Sequence, residues 1–388
     1  MSEPSGTLFD PPSATPADAR ADAQAEVRAL VALGLIAGVG AARVRALVTR
    51  FGSAQAVFEA SASALATVDG VGRQTSAAVR AFDGWDDVDE QFARPERVDA
   101  HALAFTDAGF PDLLQQIYDP PALLWVRGRL GPADAPAVAV VGTRRATDYG
   151  RRVAEAFARG LSEAGVTVVS GLAYGIDAAA HTAALDAGGR TVAVLGSGVD
   201  RIYPQRHAPL VRRILDGDGG AVVSEMPMGA APDAGNFPRR NRIVSGMCLG
   251  TLVAEARPTG GALLTAALAL EQNREVFAAP APVFAETSGT NRLIQAGAAA
   301  LVTSAADILD ALAPYVHRGA SARAPSARPL DLTVIEGRLL DVLTDEPRPL
   351  DAVCDASGLD TSSALVYLLQ LEFRGLVRQL AGKQFFRV

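Results

Sequence analysis

Apolar positions recur along this chain in two rhythms, and the change from one to the other divides it. From Glu26, the residues Val27, Leu30, Val31 and Leu33 to Leu35 follow a helical spacing that stops at Gly38-Val39-Gly40. Val44, Leu47 and Val48 open a second helix. The arrangement returns around Gly70-Val71-Gly72, with Leu65 and Val68 before it and Ala77, Ala78 and Val79 after it. This spacing predicts two helix-hairpin-helix-like repeats in a small all-α (SAM-like) domain over residues 26–98. From Ala137, short valine-rich runs alternate with helical spacings such as Val153, Phe157 and Leu161. Strands are expected at 137–141, 166–170, 191–195, 221–224, 251–254, 276–278 and 300–302. The alternation predicts an α/β class, a Rossmann-like, doubly wound and mostly parallel sheet, over 99–312.

The flanks read differently. Pro120 and Pro121 force an extended entry into the apolar run from Leu123 to Val126, a lead-in strand. Residues 313–330 are mostly Ala, Arg, Ser, Pro and Gly without apolar period, the composition of a linker. Over 331–388, helical spacings at 332–343, 350–356 and 361–374 precede a hairpin turning at Gly382, a winged-helix pattern. That segment has six basic side chains against nine acidic ones, which favours a protein-contact or structural role over DNA reading. Residues 1–25, rich in Pro, Ser and Ala, read as a disordered tail. They lack the apolar run of a signal peptide or membrane span, so a cytoplasmic protein without membrane contact is expected.

Composition narrows the chemistry. At 388 residues the chain exceeds one ordinary core, and 49% hydrophobic with 20% charged residues is globular. Cys248 and Cys354 form neither a disulfide framework nor a C-x-x-C site and read as buried small hydrophobes. Lys383 is the only lysine, so a phosphate site here must be built from guanidinium forks. A net charge of -7 argues against a uniformly basic surface but leaves room for a local basic groove.

Ligands of such sheets bind outside the carboxyl ends of the strands, and five turns are expected to converge there: 142–147, 171–177, 196–206, 225–229 and 237–242. The first follows V-A-V-V and reads G-T-R-R-A-T. Its helix N-terminus, with Arg144 and Arg145, favours an anion. It is not G-x-G-x-x-G, and Ser170-Gly171 ends the second strand without the acid that would hold a ribose, so no nicotinamide cofactor is expected. No P-loop exists. His101, His181, His207 and His317 have no metal spacing, so no metal is expected, and His181 reads as a capping or core residue. The densest constellation is F-P-R-R-N-R-I from Phe237, with Arg239, Arg240 and Arg242 around Asn241. Guanidiniums beside an aromatic ring supply backbone clamping and a stacking face, the means of holding single strands without reading sequence. The G-V-G turns either free backbone N–H groups for a phosphate or merely join helices.

On these motifs the chain resembles the DNA-processing protein A family, also called DprA or Smf, over nearly all of 26–388. The shared stretches are D-P-P-A-L-L-W-V-R-G, V-V-G-T-R-R-A-T-D-Y-G, S-G-L-A-Y-G-I-D-A-A-A-H, G-S-G-V-D-R-I-Y-P, S-E-M-P-M-G, F-P-R-R-N-R-I and G-T-N-R-L-I-Q-A-G-A. The resemblance implies a non-enzymatic single-stranded DNA binder, with duplex DNA a weaker partner. It also implies help in loading the RecA recombinase during natural transformation, and a homodimer joined through the Rossmann-like domain, for which the apolar helix over 262–270 is the expected seam. It carries DNA contacts onto Gly142, Thr143 and Arg144, onto Phe237, Arg240, Asn241 and Arg242, and onto Arg206, beside Arg145 and Arg239 from the residue reading; no catalytic residue is expected. His207, Ala281 and 259–262 depart from the family pattern. The competing classes are a phosphoribohydrolase-like enzyme acting on nucleotides and a small-nucleotide sensor. The hydrolase signature P-G-G-x-G-T-x-x-E survives here only as Gly250-Thr251 with Glu255, which reads as a structural hydrogen-bonding residue.

Overall fold

Helices α1 (Pro16–Leu35), α2 (Ala41–Phe51), α3 (Ala54–Glu59), α4 (Ala62–Leu65), α5 (Arg73–Arg80) and α6 (Trp85–Ala93) open a computed structural model that describes residues 16–320, 333–344, 348–373, 376–380 and 384–387. They enclose a core of Leu33, Leu47, Val57, Leu65 and Val79. α1 reaches into the stretch expected to be a tail. Its alanine-rich sequence, with proline at the first turn, favours helix strongly enough to extend it to Pro16; residues 1–15 lie outside the described residues. Gly40 and Gly72, the second glycines of the G-V-G turns, precede α2 and α5 without side-chain caps. Arg43 ties the turns together, its Nε donating to the Gly70 carbonyl at 2.7 Å and its terminal nitrogen to the Gly38 carbonyl.

The main sheet follows with β1 (Ala100–Ala104), α7 (Asp112–Gln115), β2 (Leu123–Gly128), β3 (Ala137–Gly142), α8 (Asp148–Glu163), β4 (Thr167–Ser170), α9 (Ile176–Asp186), β5 (Thr191–Val194), α10 (Ala208–Leu215), β6 (Gly220–Ser224), α11 (Asn236–Gly246), β7 (Gly250–Glu255), α12 (Gly261–Glu271), β8 (Glu275–Ala278), α13 (Gly289–Gln295), β9 (Ala300–Leu301) and α14 (Ala305–Ala320). Among the described residues it is nine-stranded, ordered β1-β2-β6-β5-β4-β3-β7-β8-β9. β3 to β9 are parallel to their neighbours, while β2 pairs antiparallel with β6 and β1 antiparallel with β2. Successive residues of β3 serve opposite layers. Val138 and Val140 pack with Ala154, Phe157 and Leu161 of α8, and Ala139 and Val141 with Ile243 and Val244 of α11 and Ala266 of α12. Burial on both faces is why these strands read as unbroken apolar runs. α14 continues to Ala320, into the expected linker, and 321–332 lies outside the described residues.

The chain divides into two compact units, Met1–Gly319 and Ala320–Val388. In the second, α15 (Val334–Val342), β10 (Arg348–Pro349), α16 (Leu350–Ser357), α17 (Thr361–Phe373), β11 (Val377–Leu380) and β12 (Gln384–Arg387) form a winged helix with sheet order β10-β12-β11. Its core gathers Leu339, Val353, Leu368, Leu371 and Phe385. The expected hairpin is present as β11 and β12; Gly382 lies outside the described residues.

Candidate nucleic-acid interface

β3 pairs with β4 on one side and β7 on the other, and the chain leaves the two adjacent strands in different directions, β3 toward α8 and β7 toward α12. Such a reversal opens a crevice at the carboxyl ends of the strands. Here it is a cleft of about 790 Å³. Gly142 to Arg145 line it after β3, Gly171, Ala173 and Asp177 after β4, Tyr203 after β5, Phe237 to Asn241 in part from α11, and residues between Ala256 and Thr265 after β7.

The β3 turn is held by close approach. A Cβ on Gly142 would collide with Ile176 and come within 2.8 Å of the Glu255 carbonyl oxygen, the oxygen to which Thr143 donates its N–H at 2.8 Å. Arg144 and Arg145 are exposed at the rim. The guanidinium of Arg144 stands over the Phe237 ring at 5.1 Å, and the same ring meets Tyr203 with centroids 5.9 Å apart. The N-terminus of α8 is not the open anion site that the sequence suggests, because the protein supplies its own anion. Buried Glu255 accepts from the Thr147 N–H at 2.9 Å and the Thr147 hydroxyl at 2.7 Å, while Thr147 Oγ1 caps the Gly150 N–H at 3.1 Å. The structural role read for Glu255 is thus met, and an external anion at this turn faces the arginine side chains.

The three arginines of F-P-R-R-N-R have different fates. Arg240 is 6% exposed and lines the floor of the cleft. It donates to the Gly171 carbonyl at 2.6 Å, to the Val194 carbonyl, and through Nε to Asn241 Oδ1 at 3.2 Å. Burial pulls its pKa down to about 10, against the pull of Asp177, and leaves it charged at neutral pH. Asp177 accepts the N–H groups of Gly171 and Ala173 at 3.2 Å each. Burial pushes its pKa up, while Arg240 and those N–H groups oppose the rise. Arg242 does not line the cleft. Its Nη2 pairs with Glu225 at 2.6 Å and its Nε with Asp119 at 3.2 Å, so the residue expected as a DNA contact is the centre of a mostly buried ion-pair cluster outside the cleft lining. Arg206 and Arg239 are exposed, outside the cleft lining. The structure therefore brings together Gly142, Thr143, Arg144, Arg145, Phe237, Arg240 and Asn241.

Two expectations about the turns also change. The 225–229 turn faces the helical domain, where Met228 accepts from and donates to the Gln91 side chain, the N–H bond being 2.7 Å. In its place the β7 turn over 256–261 forms a cleft wall that the sequence reading did not assign. Tyr203, which lines the cleft, was also missed; the Y-P pair in G-S-G-V-D-R-I-Y-P was the available signal.

His181 proves to be a core residue, fully buried, with Nδ1 2.6 Å from Thr191 Oγ1. Thr191 gives its one hydroxyl proton to the Val168 carbonyl at 2.7 Å, so His181 Nδ1 must be the donor. Cys248 is buried, with its thiol pKa pushed up by burial, whereas Cys354 is only half-buried. Among the described residues no group of three His, Cys, Asp or Glu side chains could hold a metal, and no helix is long and apolar enough to cross a membrane.

The family profile described as DNA recombination-mediator protein A matches residues 101–313, the whole of this sheet and its turns. The chain belongs to that family. The DprA winged helix domain matches 322–383 and a helix-hairpin-helix motif 28–88. Among DprA and Smf relatives, Protein Smf of Escherichia coli (strain K12) is 40% identical over 293 residues, 74% of this chain and 77% of its own. The DNA processing protein DprA of Streptococcus pneumoniae (strain ATCC BAA-255 / R6) is 44% identical over 209 residues, 54% and 73% of the two chains. The X-ray structure of DprA from Streptococcus pneumoniae superposes with a TM-score of 0.63 at 34% identity, covering 74% of this chain and 96% of that one. DprA from Helicobacter pylori, described for its single-stranded DNA binding mode, gives 0.51 at 28% identity, covering 56% and 97%.

Proposed function

We propose that the cleft holds the sugar-phosphate backbone of single-stranded DNA, and that the protein binds its ligand without transforming it. On this reading it protects incoming strands and helps load the RecA recombinase during natural transformation in the cytoplasm. The observation that carries the reading is Arg144, an exposed guanidinium braced on Phe237 at the mouth of the crevice. A fork held over a ring gives a phosphate a prepared partner, and nearby rings serve bases of any identity. The single-stranded DNA binding mode described for the Helicobacter pylori relative supports the same ligand.

Phosphoribohydrolase chemistry gains no support from Glu255, whose two oxygens are both engaged by Thr147. A homodimer joined along α12 fits the exposure of Leu270 on that helix. The test is a titration with labelled oligothymidine 30-mer against a duplex of equal length, alongside nucleoside monophosphates assayed for release of free base. Tight binding confined to the single strand, without turnover, is expected. Turnover of a monophosphate, or preference for the duplex, would overturn the proposal.

A further inference from the structure

Rings as well as cations stand at the cleft. Tyr203 lines it, is 46% exposed, and leans on Phe237 at an interplanar angle of 40°. Phe237 is in turn held by Arg144, so Tyr203 is the exposed end of a guanidinium-phenyl-phenol series. A second ring stands on the neighbouring turn. Tyr174 is 44% exposed and meets His207 edge-on, with centroids 5.0 Å apart at 72°, and His207 is fastened through Nδ1, 2.9 Å from the Leu172 carbonyl. The backbone fixes the turn that carries this ring against the β3 turn, and Ala173, the residue before it, lines the cleft. Gly175 has φ +79, a Cβ there would come within 2.8 Å of the Arg144 carbonyl oxygen, and Ile176 donates its N–H to the Thr143 carbonyl at 3.3 Å.

Two half-exposed phenols, each braced by another ring, one lining the cleft next to the Phe237 ring that Arg144 covers and the other on a turn whose Gly171 and Ala173 line it, carry an apolar face into water at a fixed place. Solvation alone gives no reason for that arrangement, since an unbraced tyrosine would lay its face on the protein. A flat, electron-rich face beside a phosphate-binding cation matches one chemical class, a nucleobase attached to a backbone phosphate.

We infer that Tyr174 and Tyr203 are base-stacking residues, which seat nucleobases of the strand whose phosphate Arg144 holds. This rests on the single-strand reading of the cleft. Stacking on rings is indifferent to base identity but requires a base to be present, whereas phosphate clamping does not. The two terms therefore separate on a strand that has phosphates and no bases.

The experiment compares binding of oligothymidine 30-mer with an abasic tetrahydrofuran strand of equal length, for the native chain and for Tyr203→Ala, Tyr174→Ala, Tyr203→Phe and Tyr174→Phe. Native protein is expected to prefer the base-bearing strand. Each alanine variant is expected to lose about five- to a hundredfold on oligothymidine, little on the abasic strand, and nothing in salt dependence, with the phenylalanine variants retaining affinity. Equal native affinity for the two strands, or alanine losses equal on both, would overturn the stacking role while leaving backbone binding intact. Failure of native protein to bind either strand would instead remove the single-strand reading, and the stacking role with it.

Discussion

The guanidinium of Arg144 rests 5.1 Å from the centre of the Phe237 ring, joining a turn that follows β3 to a residue of α11 93 positions further along the chain. Removing the ring frees the guanidinium. Phe237→Ala is expected to weaken binding of oligothymidine by about fivefold, the order of one cation-π contact, with the number of phosphate contacts preserved. Fluorescence anisotropy at two salt concentrations measures both quantities, and an unchanged affinity would detach the ring from the site.

Arg240 has the opposite character, because its bonds run inward to carbonyls and toward buried Asp177. Arg240→Met would leave Asp177 without its countercharge and two carbonyls without their donor. A loss of about 3 kcal/mol in folding stability is expected, measurable as a lower urea midpoint. A fully stable variant with lost DNA binding would make Arg240 a direct phosphate ligand instead.

For Arg242 the relevant partners are Glu225 and Asp119. Arg242→Ala is expected to destabilise the fold by about 2 kcal/mol by stranding the buried Glu225 carboxylate. The slope of log affinity against log salt should stay where it is. A slope reduced by about one would return Arg242 to the DNA contacts.

His181 makes stability pH-dependent. Burial lowers its pKa from 6.5 to about 3, so between those values the unfolded chain binds a proton that the folded chain refuses. Its contribution is therefore intact above pH 6.5 and lost as pH falls through that window, about 1.4 kcal/mol between pH 7.5 and 5.5. Denaturant midpoints of native and His181→Asn protein at the two pH values isolate it, since other groups titrate in both. Equal pH shifts in the two proteins would contradict a buried neutral imidazole.

Much of this fold was legible because the strands around β3 are buried on both faces and therefore form uninterrupted apolar runs. β1, A-H-A-L-A at the sheet edge, has no such run, and the pairing of β2 with β6, on the side away from its sequence neighbour β1, leaves no local trace. In the site, the arginine cluster was visible but its division was not. Successive helical positions point about 100° apart, so Arg239 faces water while Arg240 and Arg242 turn inward, and only the packed helix decides which. The occupant of the α8 N-terminus was hidden for a related reason. Glu255 lies 108 positions from Thr147, and a separation of that size carries no periodicity.

The central claim is that Arg144 holds a phosphate of single-stranded DNA. The most direct measurement is the affinity of native and Arg144→Ala protein for single-stranded DNA 30-mers, oligothymidine and mixed sequences, across a salt series. Loss of affinity by a similar factor for every sequence, with the log-log salt slope reduced by about one, is the predicted result. Unchanged affinity and an unchanged slope would contradict it.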